Sequence, residues 1–211
     1  MYLSGKEADL SSFQRFYHLR QHQLPTPSPL KMDWGKFSQS SKKNLNERQK
    51  QAVSNIDAAV SFVVGPPGTG KTTCITAMVT KLLLNGEGVV VLGQTNNCVK
   101  EVAQSLLRNS GCPKDVLTLL VSSQYWSTHN NEYDSSYTSS EIDNRYTPVL
   151  LCTLSMAKRV KPDDLQKFRV KDDNGRFEFR STVIVDEANR IGECSFAEVL
   201  PLLGPFKRLS I

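Results

Sequence analysis

The sequence of 211 residues predicts an α/β fold, with helices covering both faces of a parallel sheet. Two observations lead to this prediction. Apolar runs of strand length alternate with segments of helical periodicity, and the runs are apolar throughout rather than at every second position. Strands of that kind are buried on both faces, which is the arrangement that crossover helices produce. The compact part is expected at residues 45–211, after a basic connector at residues 1–44.

The elements follow one another regularly from residue 45. NERQKQAV opens a helix, SFVV at 61–64 predicts a short buried strand, and GVVVLG at 88–93 predicts a second one. Further strands are predicted in VLTLLVS, PVLLCT and STVIVDEA. Each of the first two strands is followed by apolar residues at helical spacing. These are Ile75, Met78, Val79, Leu82 and Leu83, and then Val99, Val102, Ala103, Leu106 and Leu107.

Two segments interrupt this alternation. In residues 122–148, 13 of 27 residues are Ser, Thr or Asn, which predicts a mobile surface insertion. Its tyrosines, at 125, 133, 137 and 146, are suited to stacking on bases, although the composition favours a disordered loop. FRVKDDNGRFEF, at 168–179, predicts a β-hairpin with a tight turn at Asn174 and Gly175.

Composition bounds the possible functions. The net charge is +5, and residues 1–50 contain the whole excess, with nine Lys and Arg against four Asp and Glu. That tail is either a solvated linker or a phosphate-binding arm, and the neutral remainder gives no charge argument for nucleic acid. No apolar stretch reaches the roughly 18 residues that span a bilayer, and no signal peptide is visible, so an intracellular protein of cytoplasm or nucleus without membrane contact is expected. Five scattered cysteines and three histidines predict reduced, mostly buried thiols and no zinc site.

A phosphate-binding loop is predicted at residues 65–72. The segment GPPGTGKT matches G-x-x-x-x-G-K-[ST] and lies between a strand and an amphipathic helix, the context that this motif requires. A glycine-rich turn without function is the alternative, and both flanking elements argue against it. Lys71 is expected to reach the β and γ phosphates and Thr72 to bind Mg²⁺. The predicted nucleotide-binding residues of this segment are Gly65, Pro66, Pro67, Gly68, Thr69, Gly70, Lys71, Thr72 and Thr73.

A pair of carboxylates completes the predicted site. Four apolar residues in TVIV bring Asp186 to the carboxyl end of a strand, where ligands of open α/β sheets bind. Asp186 is expected to hold Mg²⁺ through its water shell, and Glu187 to polarise the attacking water as general base. The alternative for Asp186 alone is an acidic cap of the next helix.

The segment LNERQKQAV resembles the glutamine motif of superfamily 1 helicases, in the branch that contains the nonsense-mediated decay helicase. The matching residues are Leu45, Asn46, Gln49 and Ala52. This resemblance implies that Gln49 reads the adenine ring. Asn46 followed three residues later by Gln49 is also a plain capping box, and both interpretations can hold together.

Two further segments resemble nucleic-acid motifs of the same family. GQTNNCVKEV is similar to motif Ia and LLCTLSMA to the next one, which implies that Thr95, Asn96 and Thr153 contact the backbone of a single strand. Small hydroxyls and amides at strand ends are also ordinary turn and cap residues. Two positions depart from the family pattern: Arg190 stands where a glutamine completes D-E-A-x-Q, and Lys100 stands where an Asp is usual.

The resemblance implies the first RecA-like P-loop NTPase domain of an ATP-dependent helicase, with ATP and Mg²⁺ as cofactors and single-stranded RNA or DNA as partner. RLSI, at the end of the chain, looks like the start of a further strand, so the domain is expected to be incomplete. A second RecA-like domain is expected in cis, and these residues alone are expected to be nearly inactive. The alternatives are a truncated, non-catalytic decoy for nucleotide or strand, a gene remnant, or an AAA+ module. The glutamine motif and the separation of 115 positions from Lys71 to Asp186 argue against the last.

Overall fold

The computed structural model describes most of residues 45–211. The described residues are 45–85, 87–129, 133–140, 148–159, 170–171, 177–178, 182–192, 195, 197–198 and 208–211. The predicted connector at 1–44, Tyr146 and the predicted turn at Asn174 and Gly175 lie outside them.

The helices used below are numbered in chain order. They are α1 (Glu47–Ser54), α2 (Lys71–Leu84), α3 (Asn96–Asn109), α4 (Ser123–His129) and α5 (Leu154–Ala157). Short 3₁₀ turns occur at 55–57, 114–116 and 188–190. No helix in the described part of the chain combines the length and apolarity that crossing a membrane requires.

Seven strands form one parallel sheet. They are β1 (Val60–Ser61), β2 (Val89–Gly93), β3 (Leu117–Leu120), β4 (Thr138–Ser139), β5 (Val149–Thr153), β8 (Thr182–Val185) and β9 (Arg208–Ser210). Their order across the sheet is β1-β9-β8-β2-β5-β3-β4, and every pairing is parallel. The predicted α/β fold class is therefore confirmed.

The predicted hairpin forms a separate two-stranded sheet. β6 (Val170–Lys171) pairs antiparallel with β7 (Phe177–Glu178), with Val170 opposite Glu178 and Lys171 opposite Phe177. The strands of the hairpin are thus where the alternating pattern predicted them.

Both faces of the large sheet are buried. Alternate residues of a strand point to opposite faces, so Val89 and Val91 of β2 join one apolar cluster while Val90 and Leu92 join the other. Helices α2 and α3 cover the first face with the apolar residues that the helical spacing picked out, and all of these are buried except the half-buried Leu107. Strands apolar on every residue are stable only under this double cover.

The first predicted strand is shorter than expected. Only Val60 and Ser61 form β1, and the side chains of Phe62 and Val64 are 69% and 97% exposed. The reason is position: within the described residues β1 lies at the end of the sheet and pairs with β9 alone. An apolar run therefore marked the location of the strand but not its length or burial.

The expectation of a mobile insertion at 122–148 needs correction for the residues that the structure describes. Residues 123–129 form helix α4, and β4 adds to the sheet beside β3. Tyr133 and Tyr137 are buried in the core cluster, and Tyr125 packs against it. The polar composition of the segment gave no indication that these aromatic side chains are buried. Because Tyr133 and Tyr137 are buried, bases cannot stack on them.

Candidate nucleotide-binding site

Every predicted site segment after a strand lies at one edge of the sheet. Because the strands are parallel, their carboxyl ends meet at the same edge. The phosphate loop follows β1, Asp186 follows β8, Thr95 follows β2 and Thr153 ends β5. The strand order therefore arranges them in a row, with the phosphate loop at one end, the carboxylates next, and the predicted strand-contacting residues beyond.

The phosphate loop takes the backbone shape that its glycines allow. Gly68 and Gly70 have φ of 77° and 85°, the left-handed region that other residues avoid. Helix α2 begins at Lys71 directly after Gly70, and no side chain caps it. Its first N–H groups are therefore open to an anion, and the helix dipole favours negative charge there.

The ammonium group of Lys71 lies over this loop. Its Nζ donates hydrogen bonds to the carbonyl oxygens of Gly65, at 2.9 Å, and Pro66, at 3.2 Å. Thr69 tightens the same turn, because its hydroxyl donates to the Pro66 carbonyl at 2.8 Å. The loop thus holds a cation through two carbonyl hydrogen bonds, and phosphate oxygens could accept from the same ammonium group.

Gln49 contacts the loop from α1. Asn46 and Gln49 form the reciprocal capping box at the start of this helix, with both hydrogen bonds at 2.9 Å. In addition, the Gln49 side-chain amide Nε2 donates to the backbone carbonyl of Thr69 at 3.0 Å. The capping interpretation is confirmed, and the contact with the loop is one that sequence reasoning did not foresee.

Asp186 is a buried carboxylate, only 8% exposed, at the end of β8. Its Oδ1 accepts from the Glu187 N–H at 2.9 Å, and its Oδ2 accepts from the thiol of Cys98 at 3.3 Å. None of the Lys and Arg side chains in the described residues forms an ion pair with it. A buried carboxylate without a cationic neighbour is a suitable partner for a hydrated divalent ion. The alternative of a helix cap does not apply, because Glu187 occupies the cap position of the following 3₁₀ turn.

Cys98 was missed by the sequence analysis as part of this site. It lies in the first turn of α3, and burial together with the neighbouring Asp186 carboxylate raises the pKa of its thiol. The thiol therefore stays protonated and able to donate to Asp186. Gly93 makes the approach possible, since a β-carbon there would lie 3.0 Å from the Cys98 sulfur. The sequence signal that could have indicated this contact is Gly93, a glycine at the end of a predicted strand five residues before Cys98.

Glu187 has a strained backbone and a cationic neighbour. Its φ of 54° is left-handed, which a residue other than glycine adopts at some energetic cost and often at functional positions. Its carboxylate lies 3.5 Å from the guanidinium of Arg190, the position where the family pattern has glutamine. The Arg190 carbonyl in turn accepts a hydrogen bond from the Gln94 side chain at 3.0 Å, which joins the carboxylate segment to the end of β2.

A cavity of about 400 Å³ lies beyond the carboxylates, at the ends of β2, β3 and β5. Its wall is mostly polar. Its lining includes Gln94, Thr95, Asn96, Tyr125, Thr153 and Arg159. It brings together the three residues predicted to contact a strand, and it adds Tyr125 and Arg159, which no motif marked. The Tyr125 ring is stacked on His129, with centroids 4.2 Å apart.

The two threonines of this cavity cap helices. The Thr95 hydroxyl accepts from the Cys98 N–H and the Thr153 hydroxyl from the Met156 N–H, both at 3.2 Å. The ordinary cap interpretation is therefore confirmed. Each cap uses the hydroxyl oxygen only as an acceptor. The hydroxyl proton therefore stays available for donation to a ligand, because a hydroxyl can accept and donate at the same time. Lys100, the other departure from the family pattern, lies 4.2 Å from the centre of the Tyr133 ring and not at this cavity.

The fold and the loop together define the class: a P-loop nucleotide-binding protein with a RecA-like α/β sheet. A family model described as "AAA domain" matches residues 44–205, and the chain belongs to this family.

Curated relatives match shorter segments. The chain is 37% identical over 73 residues to the DNA polymerase alpha-associated DNA helicase A of Schizosaccharomyces pombe, which is 34% of this chain and 11% of that protein. It is 38% identical over 61 residues to the DNA replication ATP-dependent helicase/nuclease JHS1 of Arabidopsis thaliana, 28% of this chain and 5% of that protein. The chain thus matches a small part of each relative.

Solved structures share the fold. The UvsW helicase from bacteriophage T4 aligns with a TM-score of 0.56 at 13% identity, over 94% of this chain and 58% of that one. A nuclease-deletion mutant of the Type ISP restriction-modification enzyme LlaGI, in complex with a DNA substrate mimic, aligns with a TM-score of 0.51 at 14% identity. This alignment covers 80% of this chain and 17% of the LlaGI chain.

Proposed function

We propose that these residues form the ATP-binding part of a superfamily 1 helicase, in the branch of the nonsense-mediated decay helicase. The observation that carries the proposal is the row of groups along one sheet edge: the phosphate loop, the buried Asp186, and then a polar cavity. A nucleotide and a single strand can lie side by side on such an edge. Both curated relatives are named as DNA helicases, which supports the same function.

Each group along the edge has a chemical role in this proposal. The loop and the open end of α2 hold the triphosphate of ATP, with Lys71 at the β and γ phosphates. Thr72 and Asp186 would hold Mg²⁺, which would supply positive charge beside the phosphates. Glu187 accepts the proton of the attacking water. These assignments rest on position: Thr72 lies in the first turn of α2, and Asp186 lies two strands away from β1 across the same edge.

Contacts between the two halves of the edge support a link between nucleotide and strand. Cys98 belongs to the helix that starts at the cavity, and its thiol bonds to Asp186. Gln94 lines the cavity and bonds to the Arg190 carbonyl, four residues after Asp186. A movement of the carboxylate segment on nucleotide binding therefore reaches the cavity through two direct hydrogen bonds.

The cavity suits the backbone of a single strand. Thr95, Asn96 and Thr153 present hydroxyl and amide donors, and Arg159 adds a positive charge. Phosphate contacts of this kind position a strand without reading its sequence. A second RecA-like domain in cis, which would close the opposite wall, stays a prediction, as do the intracellular compartment and the choice between RNA and DNA.

The nucleotide part is tested by Lys71→Ala. Binding of a fluorescent ATP analogue with Mg²⁺ should weaken by about 100-fold, because charge-assisted hydrogen bonds to phosphate are lost. Lys81→Ala is the matched control on the same helix. Lys81 lies in the last turn of α2, far from the loop, and forms an ion pair with Asp57. Thermal melting should show that both variants fold. Unchanged ATP affinity in Lys71→Ala would refute the site.

The strand part is tested by Arg159→Ala. Fluorescence anisotropy with labelled single-stranded oligo(dT) and oligo(U) should show several-fold weaker binding, and a salt dependence reduced by about one phosphate contact. Arg108→Ala is the control, because Arg108 is in the last turn of α3, at the end opposite the cavity. If neither oligonucleotide binds while ATP does, the cavity does not hold a strand in this chain and the strand-binding part of the proposal fails.

A further inference from the structure

The backbone of Arg190 is held between the carboxylate segment and the polar cavity. Its carbonyl accepts a hydrogen bond at 3.0 Å from Gln94, which lines the cavity. Its N–H donates to the Glu187 carbonyl at 2.9 Å and closes the short 3₁₀ turn. Because these bonds use only backbone atoms of Arg190, its guanidinium can change partners without disturbing the turn.

The ion pair of this guanidinium with Glu187 is loose and exposed. The Arg190 Nη1 atom lies 3.5 Å from the Glu187 Oε2 atom, and the two side chains are 62% and 32% exposed. Strong charge-assisted hydrogen bonds are shorter, at about 2.7 to 2.9 Å. Exposed pairs contribute little to stability, whereas a guanidinium can bind a phosphate through two parallel N–H groups. A phosphate placed nearby can therefore compete with Glu187 for Arg190.

We propose that Arg190 binds a backbone phosphate of the single strand, and that Glu187 holds its guanidinium while no strand is bound. Strand binding then moves the guanidinium from the carboxylate to the phosphate and releases Glu187 beside Asp186. This inference rests on the proposed function. It gives a role to the position where the family pattern has glutamine, since an uncharged amide cannot form this ion pair. The carboxylate of Glu187 is thus free for the attacking water when a strand is in place.

Two partners that compete for one guanidinium weaken each other reciprocally, so strand affinity alone reports the exchange. The assay is fluorescence anisotropy of labelled single-stranded oligo(dT) and oligo(U) with the nucleotide-free chain of 211 residues. Glu187→Gln frees Arg190 and should tighten binding by about threefold, the scale of an exposed ion pair. Arg190→Gln should weaken binding several-fold and reduce the salt dependence by about one phosphate contact. With both substitutions, the gain from Glu187→Gln should disappear, because no guanidinium is left to be freed.

Three control variants accompany this cycle. Arg190→Lys keeps the positive charge, so it should retain the salt dependence of the wild type while losing the paired N–H groups. Glu101→Gln removes an exposed carboxylate from α3, the helix that begins at the cavity, and measures the general effect of charge. Glu47→Gln breaks an exposed ion pair of the same spacing, with Lys50 on α1. Both glutamine controls should stay within about 1.5-fold of the wild-type affinity, because salt screens exposed charges. Equal melting temperatures show that the variants fold.

The results that overturn this inference differ from those that overturn the strand site. If Glu187→Gln tightens binding equally with Arg190 and with Gln at position 190, the gain is a general charge effect and the inference is wrong. If Arg190→Gln keeps the salt dependence of the wild type, Arg190 contacts no phosphate, which also contradicts it. In both cases the strand site stands as long as Arg159→Ala weakens binding. If the wild type binds neither oligonucleotide, the proposed strand site fails and the inference fails with it.

Discussion

Substituting Gly93 by alanine should destabilise the junction between the two halves of the site. Gly93 is the last residue of β2, and α3 packs closely against it. A β-carbon there would lie 2.8 Å from Cγ1 of Val99 and 3.0 Å from the sulfur of Cys98. Val99 is fully buried, so it cannot move aside without disturbing the core. Overpacking of this kind costs about 1 to 3 kcal/mol.

The free energy of unfolding, measured by urea denaturation, reports this cost. Gly192→Ala is the matched control, because its β-carbon would meet no atom within 4 Å and its φ is not left-handed. Val99→Ala should partly relieve the clash, so the cost of Gly93→Ala should be smaller in that background than in the wild type. A cost below about 0.5 kcal/mol, or strict additivity with Val99→Ala, would refute the overpacking argument.

Three further predictions concern the core and the site. Burial raises the pKa of the Cys112 thiol to about 12 from the ordinary 9.0. The folded state therefore keeps a proton that the unfolded state loses above pH 9, and this thiol should contribute a fall in stability of about 1 kcal/mol between pH 8 and pH 10; in urea titrations the loss over this range should be smaller by that amount in Cys112→Ala, because other thiols with a raised pKa, such as Cys98, still contribute. Arg208→Ala removes one ion-pair partner of the buried Glu87 and should cost about 2 kcal/mol, measured in the same way; a cost under 1 kcal/mol would contradict a structural role for the pair. Thr95→Val should cost about 1 kcal/mol, because the cap on the Cys98 N–H is lost, whereas Thr95→Ser should retain stability; equal stability of the two variants would argue against the cap.

Local patterns in the sequence predicted most elements of the fold. β2, β5 and β8 lie where uninterrupted apolar runs occur, because a strand buried on both faces must be apolar at every position. The last four residues, RLSI, were expected to start a strand, and Arg208–Ser210 form β9 between β1 and β8. The phosphate loop was predictable for a similar reason, since local backbone shape requires its glycines at positive φ, and the lysine that follows them completes the motif.

The failures of prediction occurred where composition conflicted with packing. A segment rich in Ser and Asn predicted a mobile insertion, yet Tyr133 and Tyr137 are buried in the core beside α4 and β4. Two aromatic side chains bury enough apolar area to order a polar segment, and composition averaged over the whole segment hides them. Conversely, the apolar Phe62 and Val64 are exposed, because burial depends on neighbouring strands rather than on the residue.

The sequence by itself determined the class of this protein, because a strand, a glycine loop with Lys71 and a helix follow one another directly and together are typical of P-loop proteins. Tertiary structure decided which groups meet. Cys98 and Asp186 are 88 residues apart in sequence, and Gln94 and Arg190 are 96 apart, yet each pair is joined by a hydrogen bond. These contacts follow from the pairing of β2 with β8, and a pairing between distant strands depends on the whole packed sheet. The contact between Gln49 and the Thr69 carbonyl depends in the same way on the approach of α1 to the loop.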